Sequence, residues 1–290
     1  MMPAPLRVLV TGASGFVGQH VVAALLQRGH QVRAVGRKVA SARQQPWFEQ
    51  VQWQSADLHD PSLDIAALTD GVDAMVHLAW PGLPNYQARY HFEQTLFADY
   101  RFIQSVVGAG VSQVLVAGTC FEYGLLEGPL SEQAPTQPNT AYGLAKTTLL
   151  SFLQQLQREQ PFTLQWARLF YLHGSGQNPN SLLASLDRAI DTGAEHFNMS
   201  GGEQLRDYLP IERAACLLGA LLERRDFTGV VNCCSGQPLS VRNLVEQRLR
   251  ERDATLRLNL GHYPYSPHEP MAFWGNNLRL RHLLGADYVA

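Results

Sequence analysis

Apolar residues in the first half of the chain alternate between short continuous runs and longer stretches with helical spacing. The strand candidates are the runs at 6–10, 31–36, 51–58, 73–80 and 113–120. Stretches with apolar residues every three or four positions lie between most of them, the clearest from Phe16 to Arg28. Strands that alternate with helices in this way predict a doubly wound α/β fold, in which helices cover both faces of a parallel sheet.

The regular alternation of strand and helix patterns ends in the second half of the chain. The pattern predicts a long helix over 141–158, a strand over 162–174, and a loop-rich segment with one helix over 175–207. The apolar run 229–236 returns as a strand, and Ser240 is well placed to cap the helix that follows it. We therefore predict one doubly wound domain whose C-terminal insertions form a small lid.

The composition is that of an ordinary soluble globular protein, with 46% apolar and 17% charged residues. A net charge of −2 argues against nucleic acid or an anionic membrane as the main partner. The first residues run into a strand without a signal-peptide pattern, and no apolar run approaches the roughly 18 residues of a membrane span. We therefore expect a cytoplasmic protein. The ten histidines and four cysteines show no metal-ligand spacing, so no metal is expected.

Three glycines follow the first strand candidate with the spacing G-x-x-G-x-x-G. Gly12, Gly15 and Gly18 would allow a tight turn, close approach of the backbone to a pyrophosphate, and close packing of helix on strand. The N-terminus of the next helix would then face the phosphates with free N–H groups and a favourable dipole. In this strand–turn–helix context the glycines predict a dinucleotide cofactor.

This assignment divides the chain into two regions. We expect a dinucleotide-binding Rossmann domain at residues 1–170, with 208–240 returning to it. The segments 171–207 and 241–290 would form a small substrate-binding region.

A tyrosine and a lysine lie four positions apart on the predicted helix 141–158. Tyr142 and Lys146 would share one face of this helix. A partly buried tyrosine beside a solvated lysine has the same spacing, so the pair alone decides nothing. A cation about 4 Å from the phenol, at an effective dielectric near 20, would supply about the 4 kcal/mol needed to bring its pKa near neutrality. The pair is therefore a candidate acid/base.

Several fragments resemble, in order, the extended branch of the short-chain dehydrogenase/reductase superfamily, which is the NAD-dependent epimerase/dehydratase family of nucleotide-sugar enzymes. They are the glycine turn at 12–18, "ADL" at 56–58, "HLAW" at 77–80, "GTCFEYG" at 118–124, "YGLAK" at 142–146, "WARLFYLHGSG" at 166–176 and "GGEQLRDYLPIE" at 201–212. The resemblance implies a Rossmann fold and an NAD(P)-dependent oxidoreductase that acts on a nucleotide sugar.

The resemblance also implies the catalytic residues Thr119, Tyr142 and Lys146. Thr119 would hold the substrate oxygen next to Tyr142, and Lys146 would also bind the nicotinamide ribose. The implied cofactor contacts are Tyr142 and Lys146 together with Gly12, Ser14, Gly15, Phe16, Val17, Gly18, Arg37, Lys38, Asp57, Leu58, Leu78, Ala79 and Trp80.

The substrate contacts that follow from the resemblance come from four parts of the chain. They are Thr119, Glu122, Tyr171, Gln177, Asn178 and Arg206. Arg206 would bind the diphosphate as a fork suited to phosphate oxygens. Glu122 can equally belong to a buried structural pair, and Arg206 can form an ion pair with Asp207 or another acid.

The residues after Thr119 narrow the reaction. Dehydratases of the family carry Asp and Glu there, where this chain has Cys120 and Phe121. Bifunctional 3,5-epimerase/reductases use a cysteine one position later than Cys120, and His173 lies three positions early for their histidine. We therefore favour reduction of a nucleotide-linked 4-keto-6-deoxyhexose, as in reductases that give 6-deoxytalose- or fucose-type sugars. The alternatives are a nucleotide-sugar 4-epimerase with tightly bound NAD and a dinucleotide-binding protein without turnover.

The end of the second strand bears on the choice of coenzyme. Gly36 stands where NAD-specific members have an acid that repels a 2′-phosphate, and Arg37 and Lys38 follow it. A guanidinium is well shaped to bind a phosphate, so we predict a preference for NADP(H), with NAD(H) also accepted. An enzyme that prefers NADPH suits a reductase, which releases its coenzyme after each turnover.

Two further residues differ from those that members of the family usually have at the same positions. Thr95 stands where the active-site helix often has asparagine, and Tyr171 replaces a substrate-binding asparagine, so a proton relay through that helix asparagine is not carried over.

Members often dimerise through the helix that carries Tyr142 and the helix before it. The predicted helix 141–158 is apolar on more than one face, which fits a homodimer, although a monomer with a well-buried helix explains the same pattern.

Overall fold

The computed structural model describes residues 4–289, and a parallel sheet of seven strands organises them. The strands, in chain order, are β1 Arg7–Thr11, β2 Gln31–Gly36, β3 Gln52–Ser55, β4 Ala74–His77, β5 Gln113–Thr119, β6 Gly128–Leu130, β7 Thr163–Leu169, β8 Tyr171–His173, β9 His196–Asn198, β10 Leu205–Pro210, β11 Gly229–Cys233, β12 Pro238–Ser240, β13 Arg257–Asn259 and β14 Phe273–Gly275.

Helices connect most of these strands. The α-helices are α1 Phe16–Gln27, α2 Val39–Arg43, α3 Ile65–Thr69, α4 Leu96–Gly108, α5 Ala141–Glu159, α6 Leu182–Asp191, α7 Ile211–Leu222, α8 Val241–Glu251, α9 Leu278–Leu284 and α10 Ala286–Val289. Short 3-10 turns cover Phe48–Gln50 and Cys120–Tyr123, and a π-helical turn covers His91–Thr95 just before α4. Within the described residues, no helix is both long and apolar enough to cross a membrane.

The central sheet has the strand order β11-β7-β5-β4-β1-β2-β3, and all its pairs are parallel. The chain builds outward in one direction from β1 to β3 and in the other direction from β4 to β11. Ligands of such sheets bind outside the carboxyl ends of the strands, where the direction reverses. The predicted doubly wound Rossmann sheet is therefore confirmed, and its reversal point lies between β1 and β4.

The two faces of the sheet have separate apolar cores. Val8 and Val10 of β1 point to the face covered by α1 and α7, and Leu9 points to the face covered by α4 and α5. Side chains of a strand alternate between faces, so a strand buried on both sides must be a continuous apolar run. The burial of both faces therefore explains the short continuous apolar runs in the first half of the sequence.

A third, smaller core lies in the C-terminal half of the chain. Leu186 of α6, Phe197 of β9 and Val245 of α8 are buried together there. The three-stranded sheet β12-β10-β8 lies next to this core. The division of the chain into two functional regions at residues 170, 208 and 240 stays a prediction.

Several predicted elements differ in detail from the structure. The predicted strand 162–174 is two strands, because the chain leaves the central sheet after Leu169 and β8 pairs with β10 instead. The third strand is shorter than predicted and ends at Ser55. Ser240 caps α8 as predicted, since its hydroxyl accepts a hydrogen bond from the Asn243 backbone N–H at 3.1 Å.

Candidate active site

A cavity of about 960 Å³ opens at the carboxyl ends of the central strands. Its walls contain most of the site residues predicted from the sequence: Gly12, Ser14, Gly15, Phe16, Val17, Gly18, Arg37, Asp57, Leu58, Leu78, Ala79, Trp80, Thr119, Tyr142, Lys146, Tyr171, Gln177 and Asn178. Three predicted residues lie outside these walls: Lys38, Glu122 and Arg206.

The turn between β1 and α1 leaves no room for side chains. Gly12 has φ +66°, and a Cβ built on it would lie 2.8 Å from the backbone N of Ala79. A Cβ on Gly18 would lie 2.1 Å from the carbonyl oxygen of Gly12. Gly15 is the N-cap of α1 and provides no side-chain hydrogen bond to its first turn. The backbone amides at this helix start are therefore available to an anion, and the turn fits a dinucleotide pyrophosphate.

The end of β2 is equally crowded. A Cβ on Gly36 would lie 2.8 Å from the ring of Trp53 and 3.2 Å from the hydroxyl of Ser14, so an acidic side chain has no space there. Arg37 is exposed at the edge of the cavity. Lys38 is exposed where the chain enters α2 and does not line the cavity, so its role as a cofactor contact stays a prediction.

Tyr142 and Lys146 lie on one wall of the cavity, on the first two turns of α5. The helix begins at Thr140, whose hydroxyl accepts a hydrogen bond from the Gly143 backbone N–H at 3.0 Å. Thr119, at the end of β5, lines the same end of the cavity and hydrogen-bonds to the Tyr142 side chain. The ammonium nitrogen of Lys146 lies 3.9 Å from the centre of the Trp80 ring. The helical spacing thus brings the predicted catalytic residues together.

Burial governs the charges of this group. Tyr142 is 7% exposed and Lys146 only 2%. Burial raises the pKa of Tyr142, and the hydrogen bond with Thr119 only partly opposes this. Burial also lowers the pKa of Lys146 to about 8, against the favourable charges of Asp99 and Glu122. The lowering of the tyrosine pKa that was expected from Lys146 is not seen in this structure, because the loss of water around a phenolate raises that pKa.

Aromatic rings surround Tyr142. Tyr86 stacks on Phe121 with ring centres 4.7 Å apart, and both rings contact Tyr142. Tyr171 completes this wall, with its ring centre 6.5 Å from that of Phe121. We call these residues, Tyr86, Phe121 and Tyr171, the aromatic wall.

Glu122 does not line the cavity, which corrects its predicted role as a substrate contact. Its carboxylate is fully buried and accepts hydrogen bonds from the Thr119 backbone N–H, the Trp166 indole and the Arg168 guanidinium at 2.7–2.9 Å. The 3-10 turn after β5 directs this side chain back beneath the strand. The structural-pair alternative is thus the correct one, and Glu122 fixes the backbone that carries Thr119.

Arg206 is also engaged within the protein. Its guanidinium donates to Glu269 at 3.0 Å and to the carbonyl oxygen of Leu205 at 2.9 Å. It lies in the wall of a second cavity of about 500 Å³, which shares Asn180 and Leu182 with the first. The ion-pair alternative therefore describes this structure, with Glu269 and not Asp207 as the partner.

The sequence from residue 8 to residue 234 matches the model of the NAD dependent epimerase/dehydratase family. The chain belongs to this family. The resemblance stated from the sequence fragments is thereby confirmed, and with it the assignment of the chain as an NAD(P)-dependent enzyme.

Individual members of the family show different activities. The chain is 28% identical to dTDP-6-deoxy-L-talose 4-dehydrogenase (NAD(+)) of Aggregatibacter actinomycetemcomitans, over 93% of this chain and 99% of the relative. It is 23% identical to UDP-glucose 4-epimerase of Halalkalibacterium halodurans, over 83% of this chain and 79% of the relative. The solved structure of MoeE5 in complex with UDP-glucuronic acid and NAD is 26% identical, with a TM-score of 0.82 over 96% of this chain and 92% of MoeE5.

Two residues near the catalytic lysine were missed by the sequence reasoning. His91, in the π-helical turn, accepts a hydrogen bond from the Trp80 indole at 3.0 Å and fixes the ring on which Lys146 rests. Tyr86 belongs to the aromatic wall. Both lie in the aromatic-rich segment 80–92, and that enrichment directly after the fourth strand was the available signal.

We expect Lys146→Met to raise the free energy of unfolding of this family member at pH 7 by about 3 kcal/mol. The pKa of Lys146 is about 8 in the fold, below the 10.5 of an ordinary lysine, so the protonated side chain disfavours folding. The gain should be full below pH 8 and vanish as the pH rises to 10.5. Denaturant unfolding at several pH values measures it.

The chain has one other lysine, and it provides the control. Lys38 is exposed, so Lys38→Met should change the stability little at any pH. A loss of stability in Lys146→Met at pH 7 would contradict the account, because it would show that the fold favours the charged lysine.

Proposed function

We propose that this protein is an NAD(P)H-dependent reductase of a nucleotide-linked 4-keto-6-deoxyhexose. The observation that carries the proposal is the reacting end of the cavity, where a single tyrosine–lysine pair faces the aromatic wall. The two residues after Thr119 are Cys120, which packs among apolar side chains, and Phe121. The Glu122 carboxylate is paired with the Arg168 guanidinium beneath the strand and does not face the cavity. Removal of water from a sugar needs an acid and a base beside the catalytic hydroxyl, and this wall does not supply that pair.

Reduction of a ketone needs one hydride and one proton. Bound NAD(P)H, held by the glycine turn, Arg37 and Lys146, would supply the hydride. Tyr142 donates the proton to the ketone oxygen, and the Thr119 hydroxyl hydrogen-bonds the same oxygen and fixes its position. The buried phenol is protonated at neutral pH, as a proton donor must be, and the hydrogen bond with Thr119 opposes the effect of burial on its pKa.

The aromatic wall supports a 6-deoxy sugar. Tyr86, Phe121 and Tyr171 present ring faces near Tyr142, where the sugar carbons next to the ketone would lie. A methyl group at C5 packs favourably on such rings, whereas a hydroxymethyl group would lose hydrogen bonds to water. The relative from Aggregatibacter has a name that describes a 6-deoxyhexose and its C4, which agrees with this substrate class.

A 4-epimerase with tightly bound NAD is the second candidate. The UDP-glucose 4-epimerase relative is the observation that favours it. A protein that binds a dinucleotide without turnover is less well supported, because Thr119, Tyr142 and Lys146 meet at one end of the cavity.

For the coenzyme, we propose a preference for NADP(H), with NAD(H) also accepted. Gly36 cannot be replaced by an acid without moving Trp53, so the end of β2 carries no charge that repels a 2′-phosphate. Arg37 lies at the cavity edge with its side chain exposed. The name of the Aggregatibacter relative specifies NAD(+), which supports use of the unphosphorylated coenzyme as well.

We further propose that the protein works in the cytoplasm on a soluble nucleotide sugar. A homodimer through α4 and α5 is supported by large apolar side chains that are exposed on these helices, including Phe97 and Leu144. A monomer remains the alternative, since both helices are well packed against the sheet.

The reaction is tested with purified protein, NADPH and a nucleotide-linked 4-keto-6-deoxyhexose. We expect rapid oxidation of NADPH by the wild type and a loss of at least about a hundredfold in kcat for Tyr142→Phe, which removes the proton donor but preserves its shape. Coenzyme affinity, measured by fluorescence, should be unchanged. Tyr100→Phe, on the outer part of α4, is the matched control and should retain full activity. Near-wild-type turnover in Tyr142→Phe would remove this tyrosine from the mechanism.

The coenzyme preference is tested by Arg37→Ala. The ratio of kcat/KM for NADPH to that for NADH should fall at least about tenfold, because one charge-assisted contact with the 2′-phosphate is lost. Lys38→Ala should leave the ratio unchanged, since that side chain lies outside the cavity. A wild type that favours NADH, or a ratio unaffected by Arg37→Ala, would refute the role of Arg37 and would favour the epimerase.

A further inference from the structure

The aromatic wall contains one hydroxyl group that the protein itself does not bind. The Tyr171 hydroxyl donates a hydrogen bond to Glu269 at 2.6 Å, and Phe121 has no polar side-chain atom. Among the described residues, the Tyr86 hydroxyl has no hydrogen-bond partner, and it is not one of the polar atoms that are closed off from the surface. Tyr86 lines the main cavity, so its hydroxyl is open to that cavity and is available to a ligand.

The backbone at Tyr86 is held from two sides. Its carbonyl oxygen accepts a hydrogen bond from the Tyr142 backbone N–H at 2.9 Å. His91 Nδ1 accepts from the Trp80 indole at 3.0 Å, so the proton of this ring lies on Nε2, which donates to the Asn85 carbonyl oxygen at 2.8 Å. The chain is therefore fastened to the start of α5 at this point. A side chain whose backbone is already held loses less conformational entropy when a ligand binds.

The Tyr86 ring lies next to the catalytic tyrosine. Its centre is 4.7 Å from the centre of the Phe121 ring and 5.7 Å from the centre of the Tyr142 ring. Burial raises the pKa of Tyr86 to about 12, so its hydroxyl keeps its proton at neutral pH and can donate a hydrogen bond. The reacting end of the cavity thus presents two neighbouring phenols, of which the proposed reaction uses only Tyr142.

A 4-keto-6-deoxyhexose has two different groups beside its ketone, a methyl group on C5 and a hydroxyl group on C3. In the proposed reaction the methyl group packs on the rings of the aromatic wall, and Tyr142 and Thr119 bind the ketone oxygen. The C3 hydroxyl loses its hydrogen bonds to water when it enters this apolar surrounding, and it needs a partner there. Because Glu269 binds the Tyr171 hydroxyl, the Tyr86 hydroxyl is the group of the aromatic wall that is left for it.

We propose that Tyr86 determines substrate specificity by forming a hydrogen bond with the C3 hydroxyl of the sugar, beside the ketone that Tyr142 protonates. This contact rests on the proposed function, because the ketone at C4 defines which sugar carbons lie next to it. A substrate without the C3 hydroxyl would leave the Tyr86 hydroxyl unpaired among aromatic rings. Such a site disfavours the analogue that lacks the hydrogen-bonding group.

The test compares two substrates in the wild type and in Tyr86→Phe. The first substrate is a nucleotide-linked 4-keto-6-deoxyhexose, in whichever of its dTDP-, UDP- and GDP-linked forms the wild type reduces best, and the second is the same compound without the C3 hydroxyl. We expect the wild type to prefer the first substrate at least about tenfold in kcat/KM. In Tyr86→Phe this preference should fall to about one or below, because only the first substrate loses a hydrogen bond.

Two other tyrosines of the same cavity provide matched controls. Tyr171→Phe removes the hydroxyl that Glu269 already binds, and Tyr208→Phe removes a hydroxyl whose ring contacts Tyr171. Each control should keep the wild-type preference for the 3-hydroxy substrate, whatever its overall kcat/KM. An equal fall of the preference in either control, an unchanged preference in Tyr86→Phe, or a wild type that does not distinguish the two substrates would overturn the proposal.

The stability of Tyr86→Phe gives a further check. The hydroxyl has no hydrogen-bond partner in the part of the chain that the structure describes, so its removal should leave the melting temperature and the coenzyme affinity unchanged. A lower melting temperature would show that the hydroxyl is bound within the protein, and it would contradict the proposal.

Binding separates this proposal from the proposed function. If the wild type reduces none of the ketosugars, the proposed function fails, and calorimetric titration of the coenzyme-loaded protein decides the role of Tyr86. The probes are then the dTDP-, UDP- and GDP-linked 6-deoxyhexoses with and without the C3 hydroxyl. Tyr86→Phe should weaken the binding of the 3-hydroxy forms alone, and equal binding by both proteins, or no binding at all, would overturn the contact. An active reductase whose preference for the C3 hydroxyl does not depend on Tyr86 would keep the proposed function and overturn only this contact.

Discussion

The burial of Lys146 is the constraint on which the rest of the site depends. An ammonium group that is almost removed from water, and that touches no carboxylate within the described residues, must be stabilised by its wider surroundings. Trp80 supplies a ring face beneath the charge, His91 fixes that ring, and Asp99 supplies a more distant negative charge. The same exclusion of water keeps the phenol of Tyr142 protonated. In the proposed reduction, this protonated phenol is the group that donates the proton.

The scaffold holds these groups by contacts that are remote in sequence. The Glu122 carboxylate binds the Thr119 backbone, Trp166 and Arg168, so the end of β5 is tied to β7 across the sheet. The glycine turn after β1 touches Ala79 after β4, which brings the helix start close to the reversal point of the sheet. A cofactor site and a catalytic wall meet there because the connections that follow β1 and β4 lead to opposite sides of the sheet and leave a crevice between them.

Much of this was predictable because the relevant signals are local. Strand–helix alternation gave the sheet, the glycine spacing gave the turn, and a spacing of four residues placed Tyr142 and Lys146 on one wall. The sequence did not reveal the pairs of side chains whose members lie far apart along the chain. Arg206 pairs with Glu269, 63 residues away, and His59 binds Asp99, 40 residues away. Residue type does not reveal such pairs, since only the folded topology decides which charges are buried together.

The central claim is that hydride passes from an exchangeable coenzyme to C4 of a nucleotide-linked ketosugar. The most direct measurement uses NADPH deuterated at C4 of the nicotinamide, with mass spectrometry and NMR of the sugar product. A reductase should place one deuterium at the sugar C4 for each coenzyme oxidised. Inversion at C4 of the corresponding nucleotide-linked 4-hydroxy sugar, without deuterium in the product and without net oxidation of coenzyme, would contradict the account and identify a 4-epimerase.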